Sequence, residues 1–205
     1  MDVIGFIATM LPIALSPGAS FTLALNNAVA QGSRGVMRII VGTALGIYTH
    51  AILASIGISA LLMRYPTLMR AMTLLGTGYL VYLALRLIQR GWQGAVRTQQ
   101  SDHAFGIRAA YVANVLNIKA ILLYVTVVPL FAGSTLDMQS PQQTVIHFMA
   151  LATVHVAIMG GWLLLTTQAM LRSAHAVNMR TMETTINIGG GVMLLGLTLW
   201  PYLPG

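Results

Sequence analysis

The chain contains no cysteine and only four acidic residues, Asp2, Asp102, Asp137 and Glu183, among its 205. The first absence excludes disulfide staples, thiolate metal sites and thiol redox chemistry. The second leaves few carboxylates for acid–base pairs. Charge of either sign is scarce, 7% of residues against about a quarter in a soluble domain. In its place stand 57% hydrophobic residues and a mean hydropathy of +0.78. Such a chain reads as an all-α integral membrane protein. No Lys or Arg precedes Arg34, so a cleavable signal peptide with a basic start is not expected.

Six apolar segments stand out, roughly 3–25, 39–61, 67–88, 108–131, 143–170 and 184–203. Each matches the ~20 residues needed to span a bilayer. Between the first two lies a polar stretch, Asn26 to Arg38, which reads as a turn. The long polar stretch about 91–104 reads as a linker between two halves, 1–90 and 105–205, of a single transmembrane domain. Three spans per half place the halves in opposite orientations. The expected architecture is therefore six transmembrane helices as two inverted three-helix halves.

Orientation follows from the basic residues. Arg34, Arg38, Arg86, Arg90, Arg97, Arg108, Arg172 and Arg180 fall on one side, and Arg64 and Arg70 on the other. That bias puts the first side in the cytoplasm and both termini outside. It also accounts for the net charge of +7 without nucleic acid.

The first segment is interrupted by Ser16-Pro17-Gly18. Pro17 has no N–H, so the carbonyl of Ile13 loses its helical partner. Ser16 and Ser20 stand one turn apart. Broken backbone inside a bilayer survives where it is buried in protein or lines a wet cavity. In the fourth segment Asn114, Asn117 and Lys119 take the corresponding place, and Asn117 is suited to cap a half-helix. His50 and Lys119 each lie eleven residues into their segments, roughly 16 Å deep and near mid-membrane. His155 lies at similar depth in the fifth. An ionisable group at that depth normally faces a cavity or a partner. Matching interruptions in inverted halves point to a transporter site. Each residue also has a plainer reading: a kink for Pro17-Gly18, packing for Gly42-x-x-x-Gly46, a hydrogen-bonded core position for either histidine.

These residues, in order, resemble a known family. Ser16-Pro17-Gly18, then Asn27 and Gly32, then Gly42-x-x-x-Gly46-x-x-x-His50, then Gly76-x-Gly78-Tyr79-Leu80, then Asn114-x-x-Asn117-x-Lys119, then Pro129-x-Phe131, are similar to the LysE/RhtB amino-acid exporters. The homoserine/threonine-type exporters are the nearest pattern. The resemblance implies a six-segment protein of the bacterial inner membrane that exports amino acids or related metabolites on the proton-motive force. The chain departs from the usual pattern at Ala19 and Ser20, at Ile118 where relatives carry proline, at Leu130, and at His155 where many carry an acid.

The expected mechanism is alternating access at a midplane cavity. Ser16, Pro17, Gly18 and Ser20 would meet the substrate's polar groups. Asn114, Asn117 and Lys119 would hold a carboxylate, and His50 or His155 would carry the proton, histidine titrating near neutral pH. No enzyme activity, metal or other cofactor, or nucleic-acid partner is expected; the partners are the solute, the lipid bilayer and a possible second copy. The alternatives are an intramembrane enzyme, which lacks an H-E-x-x-H or G-x-S-x-G motif here, and a transport-inactive scaffold.

Overall fold

A computed structural model of the chain describes residues 1–16, 18–64, 68–93, 105–133, 140–172 and 179–200. Proline, glycine and asparagine set the helix boundaries. Helix α1, Val3–Leu15, starts where the Asp2 carboxylate accepts the Gly5 amide at 2.9 Å, an N-cap that also suits the positive end of the helix dipole. It stops at Ser16, whose ψ of 127° is the extended conformation imposed on a residue before proline. Pro17 lies outside the described residues. Helix α2 then runs from Ala19 to Arg64 with one non-helical residue, Gly32.

The polar turn expected over Asn26 to Arg38 is thus corrected to a hinge of one residue. The chain doubles back at Gly32. Thr43 donates to Ser20 at 3.2 Å, and Asn27 donates to the Gly35 carbonyl at 3.0 Å, across the hinge. A straight helix would hold Ser20 and Thr43 roughly 34 Å apart. Gly32 adopts φ 60° and ψ −150°, a region essentially reserved for glycine. A Cβ there would meet no atom within 4 Å, so the constraint is purely conformational. Gly32→Ala is therefore expected to cost about 1–3 kcal/mol. Denaturant unfolding in micelles checks this, since a loss-free variant would mean the hinge relaxes at no cost.

Helix α3 spans Leu68–Gln93. The fourth apolar segment is broken into α4, Ile107–Val115, and α5, Ile118–Leu122, with Asn117 between them. The Asn117 side chain accepts the Lys119 amide at 3.0 Å, so a capping asparagine supports a break without proline. A π-helical turn, Leu123–Val127, follows, then α6, Val128–Ala132. The two arms of this segment are bent by 59°. Helices α7, Pro141–Arg172, and α8, Met179–Leu199, complete the described chain. The described residues hold helices and no strand. Ala19–Gly57 and Pro141–Arg172 are each long and apolar enough to cross a membrane, and the bent pair makes a third such span.

The arm of α2 after Gly32 packs on α4 and α7, and α3 packs on α8. Glycines permit the closest approaches. Gly42 faces Ile107 and Ala110, and Gly46 faces Asn114, so the Gly42-x-x-x-Gly46 spacing serves packing within the chain. Gly191 rests on Ala84 and Ile88, and Gly91 on Ile188. Val36, Ile39, Ile47, Tyr124, Phe148, Leu151 and Leu163 are sealed in the core. Asn27, fully buried, accepts the Phe105 amide at 2.7 Å and donates to the Phe105 carbonyl at 2.8 Å. It thereby pins the hinge to the start of α4.

Candidate functional site

The two helix breaks lie side by side. Ser16, Gly18 and Ser20 from the first, with Asn114, Asn117 and Lys119 from the second, line one cavity of about 620 Å3 counting its open mouth. Thr43 and Ile47 of α2 and His155, Met159 and Leu163 of α7 form the remaining walls. Among the described residues, no Asp or Glu lines it.

The carbonyl orphaned by Pro17 has found a partner. Lys119 donates from Nζ to the Ile13 oxygen at 3.3 Å, so the second break stoppers the first. Two further polar atoms in the wall are buried and have no hydrogen-bond partner among the described residues: Ser16 Oγ and Asn114 Oδ1. Buried polar atoms are nearly always satisfied, so a wet or solute-filled cavity suits them. Among the described residues the wall carries one ammonium, an imidazole, hydroxyls and amides among apolar side chains, a set that can hold a small zwitterion or carboxylate.

The two deep histidines separate here. His155 lines the cavity, and its Nδ1 meets the Tyr124 hydroxyl at 3.2 Å. His50 does not line it; its Nε2 lies 3.2 Å from the Asn114 carbonyl oxygen. The Tyr124 ring is stacked between both imidazoles, with centroids 6.0 Å from each. Sequence reasoning missed Tyr124. A buried phenol needs a partner for its hydroxyl, and that is the signal that would have raised it. It also missed Thr43, which reaches the site because the hinge at Gly32 folds α2 back. Tyr79, singled out only as part of a motif, donates to the Lys119 carbonyl at 3.1 Å and steadies that turn from α3.

Tyr124→Phe keeps the stack and deletes the hydroxyl. It leaves His155 Nδ1 buried without this partner, an expected loss of about 1–3 kcal/mol. Thermal unfolding measures it, and an unchanged midpoint would mean that His155 does not depend on Tyr124.

Comparison with known proteins shows the family. The profile of the LysE type translocators matches residues 11–200. A Vibrio cholerae protein named as an uncharacterized membrane protein is 25% identical over 171 residues, 80% of either chain. The uncharacterized membrane protein YrhP of Bacillus subtilis is 24% identical over 141 residues, 63% of this chain and 67% of its own. A leucine efflux protein of Salmonella choleraesuis is 27% identical over 147 residues, 70% of this chain and 68% of its own. No solved structure matches. With a match across nearly its whole length, the chain belongs to the LysE type translocators, a family of membrane proteins.

Proposed function

We propose that the protein exports amino acids, or closely related small metabolites, across the bacterial inner membrane. The observation that carries this is the convergence of both helix breaks, with Lys119, on one cavity. The similarity to a leucine efflux protein supports the substrate class. The substrate carboxylate takes the Lys119 ammonium in place of the Ile13 carbonyl. Asn114 and Asn117 hold the same group, and Ser16, the backbone at Gly18 and Ser20 receive the amino end.

Six spans in two inverted halves, with both termini outside, are the architecture this requires. The packing supports it. In an inverted repeat each contact between spans has a symmetry mate; here α1 packs on α8 as the π-helical turn of the fourth segment packs on α3, and α2 packs on α4 as α7 packs on α1. The eight-to-two bias of basic residues supports the orientation. Rocking of one half against the other gives alternating access. His155, on the cavity wall, carries the proton of a proton-driven cycle, with His50 behind it.

The test is efflux of labelled amino acids from loaded cells, preceded by a resistance screen against inhibitory amino acids and analogues. Expression is expected to speed efflux of at least one small zwitterion and to raise resistance to it. Equal efflux with and without the protein across the panel, with the protein present in the membrane, overturns the reading. A His50→Ala, His155→Ala double variant is expected to pass substrate down its gradient and not against it. Uphill export by that variant removes the proton role.

A further inference from the structure

A second concavity, of about 620 Å3 counting its open mouth, lies between α3 and α5. Tyr79, Tyr82 and Arg86 line it, spaced three and four apart on one face of α3. Lys119 and Leu122 form the facing wall. The tyrosine rings stack at 6.1 Å, and the Arg86 guanidinium lies 5.9 Å from the centre of the Tyr82 ring. Tyr82, Arg86 and Leu122 are exposed, so the groove opens on the outside of the bundle. In a membrane protein that side meets lipid. Arg86 supplies the groove's cation, the Lys119 ammonium being turned to the Ile13 carbonyl, and among the described residues no Asp or Glu lines it.

We propose that this groove binds an anionic phospholipid, its phosphate on Arg86 and its upper acyl chain along Leu83, Leu87 and Leu122. Opening towards hydrocarbon disfavours a small soluble anion and suits an amphiphile. The leucines add no preference among lipids, because acyl chains are as apolar as they are. Discrimination comes from charge. Basic pockets between membrane helices take anionic headgroups, and one cation near the surface corresponds to about a fivefold preference. The bound lipid sits against Tyr79, whose hydroxyl holds the Lys119 carbonyl. Lipid occupancy thereby stiffens the turn that presents Lys119 to the central cavity. The inference needs the membrane location and not the carboxylate role of Lys119, so the two fail separately.

The test titrates the purified full chain in micelles with phosphatidylglycerol and with phosphatidylcholine of identical acyl chains. Bound lipid is counted by native mass spectrometry and stability is read by thermal unfolding. The wild type is expected to prefer phosphatidylglycerol about fivefold or more. Arg86→Gln should bring the two lipids to parity, Arg86→Lys should keep most of the preference, and Arg38→Gln should leave it intact. Leu122→Trp, which fills the groove without touching charge, should also abolish it and serves if Arg86→Gln does not fold. A preference that survives both Arg86→Gln and Leu122→Trp overturns the proposal. So does equal loss in Arg38→Gln, which marks diffuse surface charge. Arg86-dependent stabilisation by glycerol phosphate or leucine alone would assign the groove to a soluble ligand and overturn it as well.

Discussion

Lys119→Met is expected to lower export by roughly 10- to 100-fold, the equivalent of one charge-assisted hydrogen bond, while leaving the folded protein no less stable. The two halves of that result have separate causes. Methionine keeps the length of the side chain and removes the ammonium, so the substrate carboxylate loses the one Lys or Arg that lines the cavity among the described residues. The Ile13 carbonyl loses a donor too, at a cost of about 1 kcal/mol. Against this, deleting a cation at mid-membrane removes a penalty of a few kcal/mol. Transport assayed in proteoliposomes and unfolding in micelles separate the effects. Loss of stability in step with loss of transport would make Lys119 a structural stopper for the broken first span. Unchanged transport would end the carboxylate role. Lys119→Arg keeps the charge but brings a larger planar group into a site shaped for an ammonium, so partial activity is expected.

The breaks that build this site were legible because proline and asparagine act locally. Pro17 forbids a specific hydrogen bond, and the carbonyl it frees on Ile13 is the one Lys119 takes. Asn117 caps with its own side chain, so the absence of proline at Ile118 does not restore a continuous helix. Facing direction was not legible. His50 and His155 lie at similar depths, but α7 carries apolar residues around most of its circumference, and composition alone does not say which face looks inward. One imidazole lines the cavity and the other packs behind it. The π-helical turn at Leu123–Val127 compounds the problem, because its extra residue shifts the register of Tyr124 and is invisible in a string of Leu, Val and Thr. The turn was placed on the right stretch but read as too wide, for a similar reason. Asn, Gln, Ser and Arg between Asn26 and Arg38 read as a loop, yet at a membrane surface they are content in a helix. One residue, Gly32, makes the reversal, and its neighbours Ser33 and Gly35 look equally able to do so from sequence.

Gly42→Ala is expected to destabilise the chain by about 1–3 kcal/mol or more. The added methyl would run into the Ile107 carbonyl and approach the Tyr111 amide, both backbone, as well as the Ala110 side chain. Side chains can swing away from such an intrusion, whereas backbone must move as a unit. Helix α4 is poorly placed to move: Asn27 clamps its approach at Phe105, and the Asn114 carbonyl is bonded to His50. Gly46→Ala, one turn along the same face, meets the Asn114 side chain rather than backbone; the amide can turn aside, and only the Cβ contact needs a small shift of α4. A smaller loss of stability is expected there, with a larger loss of transport, because Asn114 lines the central cavity. Gly161→Ala supplies the contrast, since its new methyl meets nothing within 4 Å and alanine is about 1 kcal/mol better than glycine in a helix. Unfolding midpoints for the three variants should therefore rank Gly161→Ala at or above wild type, then Gly46→Ala, then Gly42→Ala. Were Gly42→Ala to match Gly161→Ala, α2 and α4 would have room between them. The second break would then be held less firmly against the first, and the cavity both of them line would lose the close packing that keeps Asn114, Asn117 and Lys119 in place.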